Sequence, residues 1–248
     1  MLIRLATSVL LVLTVLLPHP VWAAVVCGTA TTSVTEADPQ TVTFTPDAGS
    51  NRIVVVVGGV RDSTNPTNTI NGVSSSAGGT WTQYALDANG ASPVARAYIY
   101  YSTDFADGSQ TISVDYTIAS PTQGTVGVFT CTGVNTSNPW RATRTTNSGT
   151  ATSGSMSVTS AANELVLDVI SLSGAAGDTL AVGASQTEQF NLANGGDNLD
   201  TGSSTEAGAG SVTMSWSWTN SRPWVSVGGS LQEAIVSNTR VRRVVELP

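Results

Sequence analysis

Short apolar stretches rich in β-branched residues alternate along the chain with clusters of Gly, Asn, Ser, Asp and Pro. This pattern is typical of short β-strands joined by turns. It predicts strands at 40–45, 52–58, 79–84, 94–102, 109–118, 123–132, 154–159, 164–172, 184–190, 210–219 and 223–232. Many short strands without crossover helices predict an all-β fold, either an antiparallel β-sandwich or a jelly roll, and exclude a parallel α/β fold.

Alternation within a strand assigns its residues to the two faces of a sheet. In 210–219 the even-numbered apolar residues, including Trp216 and Trp218, share one face, and Ser and Thr residues occupy the other. We therefore expect that strand to be half-buried, with both indole rings in the core. The stretch 53–57 is apolar at every position, which predicts a central strand covered on both faces.

The chain also repeats parts of its own pattern. Three pairs of segments match: 51–55 with 163–167, 82–84 with 188–190, and 111–114 with 213–216. The offset between matching segments shrinks along the chain, as loop deletions in the second half would produce. Chance similarity among Ser- and Thr-rich strands is the alternative, but the pattern favours two duplicated halves that share one core.

Three short motifs stand out within this pattern: an Asn-led hydrophobic strand at 51–57, a Gly-Val-x-x-Ser-Asn-Pro loop at 133–140 and a closing Arg-Pro-Trp strand at 222–231. Together they resemble secreted bacterial and phage-associated β-sandwich modules, and the resemblance covers about residues 40–232. It implies a jelly-roll-like module of the kind found in carbohydrate-binding or surface proteins, without implying a particular ligand.

The first 23 residues are expected to form a signal peptide. Arg4 precedes an apolar run at 5–17, and Ala23 closes a cleavage site before Ala24. A helix of that run would rise only about 20 Å, too short for a hydrocarbon core of ~30 Å. We therefore predict a secreted protein, extracellular or at the cell surface, with no membrane contact after cleavage. Its predicted parts are the signal peptide at 1–23, a single β-sandwich domain at 24–232 and a C-terminal tail at 233–248.

Export would place Cys27 and Cys131 in a compartment where disulfides persist. Both flank strand-like segments, so we predict one intrachain disulfide; free thiols and pairing between chains are the alternatives. In the chain-entropy model, closing so large a loop contributes ~4–5 kcal/mol to the free energy of unfolding.

Charge and histidine content exclude several functions. The formal net charge is −7, and all ten basic residues are Arg, so no basic footprint for nucleic acid exists. The single histidine, His19, lies within the predicted signal peptide. A mature chain without histidine excludes Ser-His-Asp and Cys-His catalysis and every histidine-based metal site.

Carboxylates remain as candidates for catalysis or metal binding. Asp168, within an apolar strand, and Asp115, beside Tyr116, are candidate acids for glycoside hydrolysis, although a solvated surface position for Asp168 is the simpler interpretation. The polar segment 191–206 is predicted to be a loop, in which Asp197 and Asp200 are candidate calcium ligands. A surface loop with turn-forming Asp and Asn is again the simpler interpretation.

Aromatic residues provide the candidate ligand-binding surface. Alternation in 94–102 places Arg96, Tyr98 and Tyr100 opposite Ala95, Ala97 and Ile99, which predicts that the Tyr rings face solvent and stack on sugars. Trp140 and Trp224 each follow a Pro and are expected to be partly exposed. Burial of these rings under loops or sheet edges is the competing interpretation.

These features favour a secreted, non-enzymatic β-sandwich that binds glycan or another surface polymer. One alternative is a structural subunit of an extracellular filament or matrix that self-associates by β-strand exchange through the Arg-rich tail. The other is a jelly-roll enzyme that cleaves glycans with carboxylates. We expect no cofactor other than calcium at Asp197 and Asp200.

Overall fold

The computed structural model describes residues 24–62, 70–90, 94–117, 123–141, 144–174, 178–194 and 198–235, and these residues form antiparallel strands and no helix. The strands are β1 (Val26–Cys27), β2 (Thr31–Thr35), β3 (Gln40–Phe44), β4 (Ile53–Asp62), β5 (Ile70–Ser75), β6 (Thr80–Ala88), β7 (Val94–Asp104), β8 (Gln110–Tyr116), β9 (Gln123–Thr132), β10 (Thr145–Thr159), β11 (Leu165–Ser173), β12 (Ala181–Val182), β13 (Thr187–Asn194), β14 (Leu199–Ala207) and β15 (Ser211–Leu231). The predicted all-β antiparallel sandwich is confirmed. The predicted signal peptide and the tail from residue 236 onward lie outside the described residues.

Repeat 1, residues 31–132, consists of two sheets. In its larger sheet β2 pairs with β9, and β4, β7 and β6 follow in that order; β1 joins the end of β9. Its smaller sheet has the order β3, β8, β5. The two sheets pack face to face, because alternate residues of β4, β7 and β9 meet the apolar face of the smaller sheet.

Repeat 2, residues 145–231, has the same strand order, but two long strands, β10 and β15, take the places of four strands of repeat 1. The register between β10 and β15 shifts between Ala151 and Ser153, which divides both strands into two halves. The first half of β10, the second half of β15, then β11, β14 and β13 form the larger sheet. The second half of β10, the first half of β15 and β12 correspond to the smaller sheet. This correspondence confirms the predicted duplication.

Equivalent turns adopt equivalent backbone conformations in the two repeats. Asn51 and Asn163, just before β4 and β11, have positive φ values of 52° and 67°. Gly108 and Gly210, just before β8 and β15, have φ values of 92° and 71°. Gly and Asn are the residues that enter this left-handed region most readily, so the repeats preserve the chemistry of each turn.

The two larger sheets face each other with their strand orders reversed. β9 packs against β13, β4 against β14 and β11, β7 against β11 and β15, and β6 against β15. Ile53, Val55 and Ile99 of repeat 1 meet Leu167, Val169 and Val227 of repeat 2 in this central core. The arrangement has pseudo-twofold symmetry, because the first strand of one sheet lies over the last strand of the other.

The predicted disulfide between Cys27 and Cys131 is confirmed, and it joins opposing residues of β1 and β9. At the other end of the described chain, Ala234 donates a backbone hydrogen bond to Gly133 (2.8 Å), and Glu233 forms a bridge with Val134. The first residues of the predicted tail therefore lie against the loop that follows β9. None of the described residues forms a helix long and apolar enough to cross a membrane.

Two strand assignments from the sequence are wrong, and β1, β2, β5, β12 and the first half of β10 were not predicted. The predicted strands 210–219 and 223–232 are one continuous strand, β15, because the chain bends there without leaving the sheet. The predicted loop 191–206 contains the end of β13 and most of β14, which is hydrogen-bonded to strands on both sides. Its sequence consists mainly of Gly, Ser, Thr and Asp and lacks the run of apolar residues that usually marks a buried strand.

Candidate functional site

The predicted Tyr platform is buried. Tyr98 is 0% exposed and Tyr100 is 5% exposed, and both lie in the core between the two sheets of repeat 1. The Tyr98 hydroxyl donates to the carbonyl of Thr125 (3.0 Å), and burial raises the pKa of Tyr98 well above its usual value. The predicted outward orientation is therefore wrong: β7 is a central strand covered on both faces, and half-buried Arg96 lies at its start. A buried ring cannot stack on a sugar.

The Trp residues predicted to be partly exposed are also buried. Trp140 is 6% exposed and stacks on Tyr84, with ring centroids 3.8 Å apart and planes 8° apart. Trp224 is 5% exposed and packs edge to face with Trp218. Trp216 and Trp218 lie in the core, as predicted.

Of the two candidate catalytic acids, Asp115 is exposed in repeat 1 and Asp168 is fully buried in repeat 2. Asp168 accepts hydrogen bonds from the Ser204 hydroxyl (2.6 Å) and from the indole N–H of Trp216 (2.8 Å). Burial raises its pKa to about 7, although these hydrogen bonds oppose the shift. The simpler interpretation of Asp168 as a surface charge is wrong, and the two acids belong to different repeats.

The candidate calcium ligands are not brought together in the described residues. Asp197 lies outside them, and Asp200 is buried with its carboxylate against the guanidinium of Arg222. Asp178 completes this buried group, with an oxygen 3.6 Å from the same nitrogen of Arg222. Among the described residues no cluster of three or more His, Cys, Asp or Glu could hold a metal ion. The guanidinium of Arg222 therefore provides the positive charge beside the Asp200 carboxylate.

The outer face of repeat 2 carries a groove of about 430 Å³, which we name the serine groove. It crosses β10, β15 and β12 where β10 bends. Its lining residues are Asn147, Ser153, Gly154, Ser155, Ala181, Gly183, Ser215, Trp216, Ser217 and Trp224. The alternation of β10 and β15 turns four serines outward while the Trp rings point toward the core.

The serines form a regular array of hydroxyl groups. Ser153 opposes Ser217 and Ser155 opposes Ser215 on neighbouring strands. Side chains so placed lie about 5 Å apart across the strands and about 7 Å apart along them. Asn147 borders the array, and its side-chain amide donates to the carbonyl of Ser155 (2.7 Å). Each hydroxyl both donates and accepts hydrogen bonds.

Trp224 lines the groove from the core side, because its ring is only 5% exposed. Its ring packs on Gly154, where a Cβ atom would approach the ring to 2.8 Å. The indole nitrogen of Trp224 is buried and has no hydrogen-bond partner in the described part of the chain.

Comparison of the repeats explains why the groove lies in repeat 2. By strand register, Gly154 corresponds to Gln40, and Trp224 corresponds to Gly124. Gln40 is fully buried and donates to the carbonyl of Gly124 (3.4 Å), so a carboxamide fills this place in repeat 1. Sequence reasoning singled out Trp224 but missed the serines, and a strand-by-strand alignment of the two repeats would have shown the Gln-to-Gly difference.

No family model, no curated protein and no solved structure matches this chain.

Proposed function

We propose that this protein is a secreted, non-enzymatic β-sandwich that binds neutral glycan through the serine groove. The observation that carries the proposal is the chemistry of the lining: hydroxyls, an amide, glycines and two indoles, with no ionisable side chain. A sugar offers many hydroxyl groups, which match an array of serine hydroxyls and an amide by hydrogen bonding. An ionic ligand would find no countercharge there.

Secretion is supported by the disulfide, which persists in oxidising compartments. The same β-sandwich architecture is compatible with the carbohydrate-binding modules that the sequence motifs resemble. Because a fold alone does not define a function, the proposal depends on the groove and not on the architecture.

The test is glycan binding by the full mature chain and by two matched variants. Ser217→Trp places an indole in the groove, whereas Thr213→Trp places one at an exposed position of the same strand outside it. A neutral-glycan array followed by calorimetry should show binding by the wild type and by Thr213→Trp, with a loss of at least about tenfold for Ser217→Trp. Thermal unfolding would establish that both variants are folded.

Equal binding by Ser217→Trp and the wild type would place the site elsewhere. If the wild type retains no neutral glycan, the proposal is wrong.

A further inference from the structure

A second pocket, of about 210 Å³, lies where the two repeats meet, and we name it the Tyr84 pocket. Its lining residues are Tyr84, Arg144, Thr145, Val158, Thr159, Gly229 and Ser230. Tyr84 belongs to β6 of repeat 1, whereas the other residues belong to repeat 2 or to the segment just before it. The pocket therefore requires both halves of the duplicated chain.

Tyr84 is held in place on both sides. Its ring stacks on Trp140 at 3.8 Å, and its hydroxyl oxygen lies where a side chain at Gly229 would be. Burial raises the pKa of Tyr84 to about 12, while the charge of Arg144 lowers it in part. The phenol is therefore protonated at neutral pH and remains a hydrogen-bond donor.

Arg144 brings a positive charge to the mouth of the pocket. Arg52, Arg141 and Arg222 each form an ion pair with a carboxylate. Arg144 is exposed and forms no hydrogen bond or ion pair with the residues that the structure describes. In a chain with net charge −7, such a guanidinium is available for an anion.

Glu164, which is hydrogen-bonded to the lining residue Ser230, is already paired with an arginine. Ser230 donates its hydroxyl to Glu164 (2.8 Å), and Arg141 binds the same carboxylate through its Nε (2.7 Å). Thr145 and Thr159 add two hydroxyl groups to the lining. A guanidinium and two threonine hydroxyls are together donors suited to an oxyanion.

We propose that the Tyr84 pocket binds an oxyanion group, a carboxylate or a sulfate ester. Arg144 would form the charge-assisted hydrogen bonds, and the hydroxyl groups of Thr145 and Thr159 would donate to the same group. This site is separate from the serine groove and does not rest on its proposed function.

The experiment measures binding of three probes to the full mature chain by calorimetry: glucuronate, glucose 6-sulfate and uncharged glucose. We expect one or both anions to bind more tightly than glucose, and the preferred anion identifies the group. Arg144→Gln should weaken anion binding by at least about tenfold, as expected for loss of a charge-assisted hydrogen bond.

Two controls separate this site from other causes. Arg52→Gln removes the same charge far from the pocket lining and should leave anion binding unchanged. Ser217→Trp, which blocks the serine groove, should also retain anion binding, so the two proposals can fail independently. Equal weakening by Arg144→Gln and Arg52→Gln, or no preference of the wild type for either anion over glucose, would overturn the proposal.

Discussion

The two repeats fill equivalent space in their cores with large side chains from different positions. Tyr98 of repeat 1 corresponds by register to Gly202 of repeat 2. A Cβ atom on Gly202 would lie 2.7 Å from the Trp216 ring, so the indole fills the space that a side chain at Gly202 would need. The indole N–H then reaches Asp168, which corresponds to Val56. The buried carboxylate of repeat 2 is thus accompanied by its own hydrogen-bond donor.

Asp168 should make stability depend on pH. Its folded-state pKa is about 7, raised by burial from its ordinary value of 3.8, so the unfolded chain loses this proton first as pH rises. The contribution of Asp168 to the free energy of unfolding is therefore fully present below about pH 4 and is lost as pH rises toward 7. Urea unfolding from pH 4 to pH 9 should show this decline for the wild type.

Asp168→Asn should remove that decline. At pH 5 the variant should be less stable by about 1 kcal/mol, because the amide cannot accept every hydrogen bond made to the carboxyl group. At pH 8 the difference should shrink or reverse. Asp115→Asn, at an exposed strand position, is the matched control. An unchanged decline in Asp168→Asn would show that another group titrates.

At the scale of single strands, prediction from sequence succeeded where apolar periodicity was strong. The predicted bounds of β9 and β3 agree with the structure to within one residue, because turn-forming residues flank their apolar and β-branched positions. β14 was missed because its buried residues are mainly Ser, Thr and Gly, which hydrogen-bond in place of apolar packing. β7 was found, but alternation alone cannot tell a strand covered on one face from one covered on both. That ambiguity misplaced Tyr98 and Tyr100.

Burial of β7 reverses the expected effect of changing its Tyr residues. Tyr98→Ala should lower the free energy of unfolding by about 3–5 kcal/mol, as other truncations of large buried aromatic side chains do. Tyr98→Phe should lower it by only about 1 kcal/mol, because it keeps the ring and removes the hydrogen bond to Thr125 and the long contact with the Tyr116 hydroxyl. Urea unfolding measures both, with Thr103→Ala at an exposed position of β7 as control. A loss below 1 kcal/mol for Tyr98→Ala would contradict the burial of its ring.

At the scale of the whole molecule, the pseudo-twofold packing joins the repeats through their largest apolar surfaces. Each repeat has its own inner core, but Ile53, Val55 and Leu167 belong to the core between them. The repeated motifs predicted the duplication, whereas the facing of the two larger sheets could not be read from local periodicity. A repeat unfolded alone would leave the central apolar face of its partner in water. The two repeats should therefore unfold together.

Ile112→Ala tests this coupling, because Ile112 is fully buried in the inner core of repeat 1, away from repeat 2. The substitution should lower the free energy of unfolding by about 2–5 kcal/mol. In a Trp81→Phe background, which removes the indole packed against the core of repeat 1, Trp216, Trp218 and Trp224 report by fluorescence mainly on the core of repeat 2. Far-UV circular dichroism reports on all strands. In one cooperative transition, both signals should shift to the same lower urea midpoint. Thr111→Ala, at the neighbouring half-buried position, should shift neither signal appreciably. If the fluorescence midpoint stayed at its wild-type value while the dichroism midpoint fell, the repeats would be independent folding units.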